Sequence, residues 1–156
     1  MKKLIAALAG IVLVAGLTGC SHNSGPNPTE PPEVPTHQIA GSVLPQKVAG
    51  YTALGPAPTA DQTSVTYASD AQPLDLAVVS FDTTGQYGQV TLTGQQWYGV
   101  SRCGTLWKGD AKATPQQRQV ACVTVLTDGV MTTVSGGQQS PQDMAVLANA
   151  INDQLS

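Results

Sequence analysis

Between two β-rich runs, residues 119–127 and 130–135, stands the dipeptide Asp128-Gly129. Asp-Gly in that setting is a strong hairpin signal, because a type I′ turn needs positive φ at both central residues. A two-residue turn there pairs Thr127 with Val130, Val125 with Thr132 and Val123 with Val134. The other face carries Cys122, Leu126 and Met131. Both faces are partly apolar, so the hairpin belongs in the interior of a sheet.

Upstream runs supply that sheet. Residues 48–53 and 64–68 read as short strands, separated by Gly55-Pro56 and Pro58. Residues 74–82 form a nearly continuous apolar run, suited to a central strand. Gly85 and Gly88 break the chain, and residues 89–93 return as a partner strand. Residues 96–108 read as one further strand, with Trp97, Cys103 and Trp107 on a face shared with small Gly99 and Ser101. As a helix, this stretch would carry penalties of about 1 kcal/mol each for Gly99 and Gly104.

The chain closes on a helix. Ser140 is a good N-cap, Pro141 suits the first helical position, and Asp143 stands where a capping box places an acid. Met144, Leu147, Ala148, Ile151 and Leu155 recur at spacings of three and four, a stripe that packs against a sheet. Strands followed by one helix specify an α+β fold. The expected architecture is an antiparallel sheet of about five to seven short strands covered by one C-terminal helix, without internal repeats.

The N-terminus has a different character. Lys2 and Lys3 precede an uncharged, mostly apolar run at residues 4–17, which fits the length of a signal-peptide apolar core. It is shorter than the roughly 20 residues a helix needs to span a bilayer. Leu17-Thr18-Gly19-Cys20 follows. In that place it resembles the lipobox of bacterial lipoproteins. The resemblance implies cleavage before Cys20 and a diacylglyceryl group on its sulfur, anchoring the protein to the extracytoplasmic face of the cell membrane. Two acyl chains hold durably where one holds only reversibly, since each buried CH₂ contributes about 0.8 kcal/mol.

Residues 21–37 contain Pro26, Pro28, Pro31, Pro32 and Pro35, with no apolar periodicity. Such chain builds no core and favours extended polyproline II. The expected organisation is therefore a signal peptide at 1–19, a lipidated Cys20 with a Pro-rich disordered tether through 37, and one domain at 38–156. At about 3.1 Å per residue the tether reaches roughly 50 Å. The domain removes roughly two-thirds of its unfolded surface from water, enough for one ordinary core.

Beyond Cys20 there are five basic and ten acidic residues, a net charge of −5, and no basic run. Nucleic-acid binding has no electrostatic footprint here. Attraction to anionic headgroups is not indicated either. Surface polarity comes instead from uncharged residues: 15 Gln and 14 Thr follow position 37, and Thr favours strands.

Cys103 and Cys122 are the only cysteines beyond the lipobox. In an exported domain such a pair reads as one disulfide. A zinc site needs about four ligands, and a catalytic thiol needs a base or an electropositive setting. Arg102 adjoins Cys103, but no His follows His37. Ser-His-Asp and Cys-His arrangements therefore lack their base. No Gly-x-Ser-x-Gly elbow, phosphate-binding Gly loop or His-Glu-x-x-His helix is present. Glu ends at Glu33, so paired carboxylates would have to be Asp70 with Asp75, or Asp110 with Asp128; all four read as turn and loop residues.

The domain also resembles small lipoproteins of actinobacteria, mycobacterial and corynebacterial types especially, and of their temperate phages. The likeness rests on Trp97-Tyr98-Gly99, Ser101-Arg102-Cys103-Gly104, Ala121-Cys122-Val123, Asp128-Gly129-Val130 and the Ser-Pro-x-Asp helix start at Ser140. Most of that group lack an assigned activity. The resemblance implies a bond between the two Cys-containing segments, and it transfers no catalytic residue or cofactor.

The expected function is a non-enzymatic binding module at the cell envelope, acting on an envelope protein, with no cofactor and no nucleic-acid partner. Two alternatives fit the same layout. One is a prophage-encoded surface lipoprotein for superinfection exclusion. The other is a lipid or amphiphile carrier whose pocket would be lined by Trp97, Trp107, Met131 and Met144.

Overall fold

The computed structural model describes residues 28–31, 35, 37–83, 91–106, 119–136 and 139–155. Eight strands and one helix follow in chain order: β1 (Lys47–Val48), β2 (Tyr51–Ala53), β3 (Ser64–Ser69), β4 (Leu76–Asp82), β5 (Leu92–Tyr98), β6 (Ser101–Leu106), β7 (Val120–Leu126), β8 (Gly129–Ser135) and α1 (Pro141–Asn152). They build one antiparallel sheet in the order β1-β2-β3-β4-β8-β7-β6-β5. Two meanders thus meet at β4 and β8, which places the β7–β8 hairpin inside the sheet as its two apolar faces require. The fold is α+β with one C-terminal helix, and its eight strands exceed the five to seven expected.

The eighth strand arises from a turn at Ala49-Gly50, and residues 92–93 of the expected 89–93 strand fall in β5 together with 96–98. Residues 48–53 are not one strand: Ala49 and Gly50 turn the chain with φ of 49° and 77°. Val48 then pairs with Tyr51. Positive φ at both central residues is the type I′ signature, met here by an Ala-Gly pair. Residues 96–108 are likewise divided. Gly99 turns the chain at φ 62°, and Tyr98 pairs with Ser101 across that turn. Trp97 therefore lies opposite Arg102, on the face away from Cys103, and does not share a face with it. Trp107 lies outside the described residues.

The β7–β8 register also departs from expectation. Leu126 pairs with Gly129, Val125 with Val130 and Val123 with Thr132. The loop residues are Thr127 and Asp128, and neither they nor Gly129 have positive φ. Each β7 residue pairs two positions earlier in β8 than expected. A shift of two preserves the face of every side chain, so the division into faces survives. Gly129 is needed for space. A Cβ built there would lie 2.5 Å from the Asp82 carbonyl oxygen and against Ile39 Cδ1.

The helix matches its sequence signals. The Ser140 hydroxyl accepts from the Asp143 N–H, while the Asp143 carboxylate accepts from the Ser140 N–H, completing the capping box. Met144, Leu147, Ala148 and Ile151 are fully buried, and Leu155 is buried just past the helix end. The stripe packs across β6, β7 and β8 and also meets β1 at the sheet's far side, so the sheet curls round the helix. Their shared core includes Tyr67, Val79, Phe81, Tyr98, Met131 and the two bonded cysteines. The Tyr67 hydroxyl donates to the Pro45 carbonyl oxygen at 2.7 Å, and burial pushes its pKa up to about 12. A smaller cluster of Leu92, Ala121, Val123 and Val130 occupies the opposite sheet face.

Candidate functional site

Cys103 and Cys122 occupy directly opposed positions on β6 and β7. Their side chains meet under the helix in a disulfide, with Cα atoms 4.0 Å apart. Both are fully buried. The bond ties neighbouring interior strands across the 13-residue connection that joins them, and its sulfurs are not offered to solvent.

Register defines two ends of the sheet. The turns after Tyr98 and Leu126, together with Asp82 opposite Val130, lie at one end. The turn after Val48 and the 70–75 connection lie at the other. Most side-chain polar contacts of interest gather at the first end. Ser101 Oγ and Thr124 Oγ1 lie 2.7 Å apart, and Ser101 Oγ donates to Asn149 Oδ1 at 2.8 Å. Asn149 Nδ2 donates to the Tyr98 carbonyl oxygen at 2.8 Å. A Cβ at Gly99 would stand 2.8 Å from Asn149 Nδ2, so glycine there serves both the turn and the contact. These hydroxyls face an amide, which cannot take a proton, so the cluster joins helix to hairpin and holds no activated nucleophile.

The N-terminal segment reaches the same end. The Thr29 N–H donates to the Trp97 carbonyl oxygen at 2.7 Å, and the Gly99 N–H donates to Thr29 Oγ1 at 2.9 Å. Further on, the Thr127 N–H donates to the His37 carbonyl oxygen at 2.9 Å. The Asp128 carboxylate accepts from the N–H groups of Ile39 and Ala40 at 2.6 and 2.9 Å. Those two backbone donors hold its carboxyl below the usual carboxylate range.

The other carboxylates considered as pairs have local roles. Asp70 accepts from the Thr52 hydroxyl at 2.7 Å. The Asp75 carbonyl oxygen receives the Ser69 N–H at 3.0 Å. Asp110 lies outside the described residues, as does Cys20. Of the four residues considered as a lipid-pocket lining, Met131 and Met144 are fully buried in the helix-side core. Trp97 lies on the opposite sheet face, so these three do not line one cavity. No three His, Cys, Asp or Glu side chains converge on a metal-binding position among the described residues.

The sequence marks Ser101 only as a small residue on a strand face and as part of the 101–104 likeness, and does not mark Thr29 or Thr124. Asn149 leaves a trace as a poor helix former bordering an apolar stripe. Set against protein-family models, curated proteins and solved structures, the chain matches none.

Proposed function

We propose that the chain is an exported lipoprotein, anchored by lipid on Cys20 to the extracytoplasmic face of the cell membrane. In this reading its domain is a non-enzymatic binding module for an envelope protein. The carrying observation is the N-terminal order of Lys2-Lys3, an uncharged apolar run at 4–17 and Leu17-Thr18-Gly19-Cys20.

Two features of the domain support that reading. A buried disulfide between Cys103 and Cys122 suits an oxidising compartment outside the cytoplasm. The hydroxyls of Ser101 and Thr124 and the carboxylate of Asp128 are engaged in contacts that join elements together. The domain thus offers a rigid scaffold at the end of a membrane tether.

Crosslinking in intact host cells, followed by mass spectrometry of the purified adducts, tests the binding role. The expected result is one envelope protein recovered reproducibly with the wild-type chain and lost with Cys20→Ser, which removes the anchor. Recovery of only abundant bystanders, unchanged by Cys20→Ser, would contradict the reading.

A further inference from the structure

We propose that, on the anchored protein, the end of the sheet carrying the Gly99-Val100 and Thr127-Asp128 turns faces the lipid bilayer, held there by a clasp at Thr29. This inference rests on the reading of Cys20 as the lipid anchor.

Among the described residues, the chain before position 41 makes two sets of hydrogen bonds with the sheet, and both lie at the same end. Thr29 makes the first, through its N–H to the Trp97 carbonyl oxygen and its hydroxyl oxygen from the Gly99 N–H. His37, Ile39 and Ala40 make the second, on Thr127 and Asp128. The two are independent sets of bonds on different hairpins, β5–β6 and β7–β8.

Length turns this into an orientation. Without the clasp, the free chain runs from Cys20 to His37 and reaches roughly 50 Å. With Thr29 bound, nine residue steps remain, reaching about 30 Å when fully extended and about 17 Å on average if flexible. A seven-residue strand such as β4 is itself about 23 Å long. To turn the opposite end toward the membrane, the shortened tether would have to run nearly taut alongside the domain. Keeping the clasped end inward leaves the tether most of its conformations. The mature chain's net charge of −5 supplies no attraction to anionic lipid that would reverse the preference. The 70–75 connection, where Leu74 is 94% exposed, then points away from the bilayer.

Resonance energy transfer tests the orientation on full-length lipidated protein in phosphatidylcholine vesicles carrying a headgroup acceptor dye. Donors are placed by Ala60→Cys, in the exposed connection at the clasped end, or by Leu74→Cys at the other. The expected result is at least twofold greater transfer from position 60 than from position 74. Thr29→Pro, which removes the N–H and the hydroxyl, should bring the two values together. Equal transfer in the parent protein, greater transfer from position 74, or no effect of Thr29→Pro would overturn the proposal.

Intact mass before reconstitution separates this proposal from the one beneath it. A chain without diacylglyceryl would defeat the anchor reading. Amide exchange at Gly99 in that same chain still tests the clasp. Exchange at least tenfold faster in Thr29→Pro than in the parent is expected, and equal exchange in the two would defeat it.

Discussion

The Asp128 carboxylate receives the Ile39 N–H at 2.6 Å, joining the interior β7–β8 hairpin to the segment through which the chain arrives. A second bond from the Ala40 N–H makes the contact bidentate. Both bonds need the ionised carboxylate, and they lower its pKa in the folded state. A carboxyl with a lowered folded pKa contributes stability that is present above its unfolded value and lost as pH falls through the folded one. Urea midpoints of the wild-type domain should therefore decline as pH drops below about 4. Asp128→Ala should show a lower midpoint at pH 7 and a shallower decline. Asp61, whose carboxyl is lowered by the Thr59 hydroxyl, leaves a residual slope. Parallel declines in the two proteins would contradict this assignment.

Gly129 separates two explanations for an Asp-Gly dipeptide. A turn needing positive φ tolerates Asn in place of Gly at little cost. A position crowded by the Asp82 carbonyl oxygen 2.5 Å from any Cβ tolerates neither Ala nor Asn. Both Gly129→Ala and Gly129→Asn should destabilise by about 1–3 kcal/mol or more, the usual cost of overpacking. Gly50→Asn should be nearly neutral, because Gly50 has φ 77° and open space where a Cβ would go. Chemical denaturation of the three variants checks the order, and a near-neutral Gly129→Asn would restore the turn explanation.

These two glycines show what was legible. The helix was readable because Ser140, Pro141, Asp143 and the apolar stripe all point to the same answer within 16 residues. The division of β7 and β8 into faces was readable because side chains alternate whatever the register. Turn positions were less so. Ala49-Gly50 lacks the usual Asn or Asp, and Gly99-Val100 lies in a stretch whose alternation of small and large residues imitates one continuous strand. Asp128 and Gly129 carried a strong local signal whose physical cause is tertiary: Asp82 and Ile39 are 47 and 90 positions away from Gly129. The Thr29 contact depends on a β5 edge that no local pattern announces.

Asn149 links α1 to the β5–β6 turn through Ser101 and the Tyr98 carbonyl oxygen. Asn149→Ala leaves that carbonyl without its side-chain donor, and Ser101 keeps only Thr124. The expected loss is about 1–3 kcal/mol, the cost of unpairing part-buried polar groups. Asn149→Ala combined with Ser101→Ala should lose less than the sum of the single changes, since they remove one shared bond. Strict additivity in urea unfolding would contradict the coupling.

The disulfide closes a loop with a sequence separation of 19. Chain-entropy reasoning assigns such a bridge about 3 kcal/mol. A double Cys103→Ala, Cys122→Ala variant should lose about that much or more, because both sulfurs are also packed in the core. Equal stability of the oxidised wild type and the double variant would mean that the bridge adds nothing to the fold.

The anchor proposed for this chain is a thioether at Cys20. Intact mass spectrometry of the mature protein purified from its host tests it most directly. The predicted result is a chain that begins at Cys20 and carries the added mass of a diacylglyceryl group, which hydroxylamine treatment at neutral pH leaves in place. A mature chain beginning elsewhere, or one whose Cys20 thiol is free to react with iodoacetamide, would contradict it.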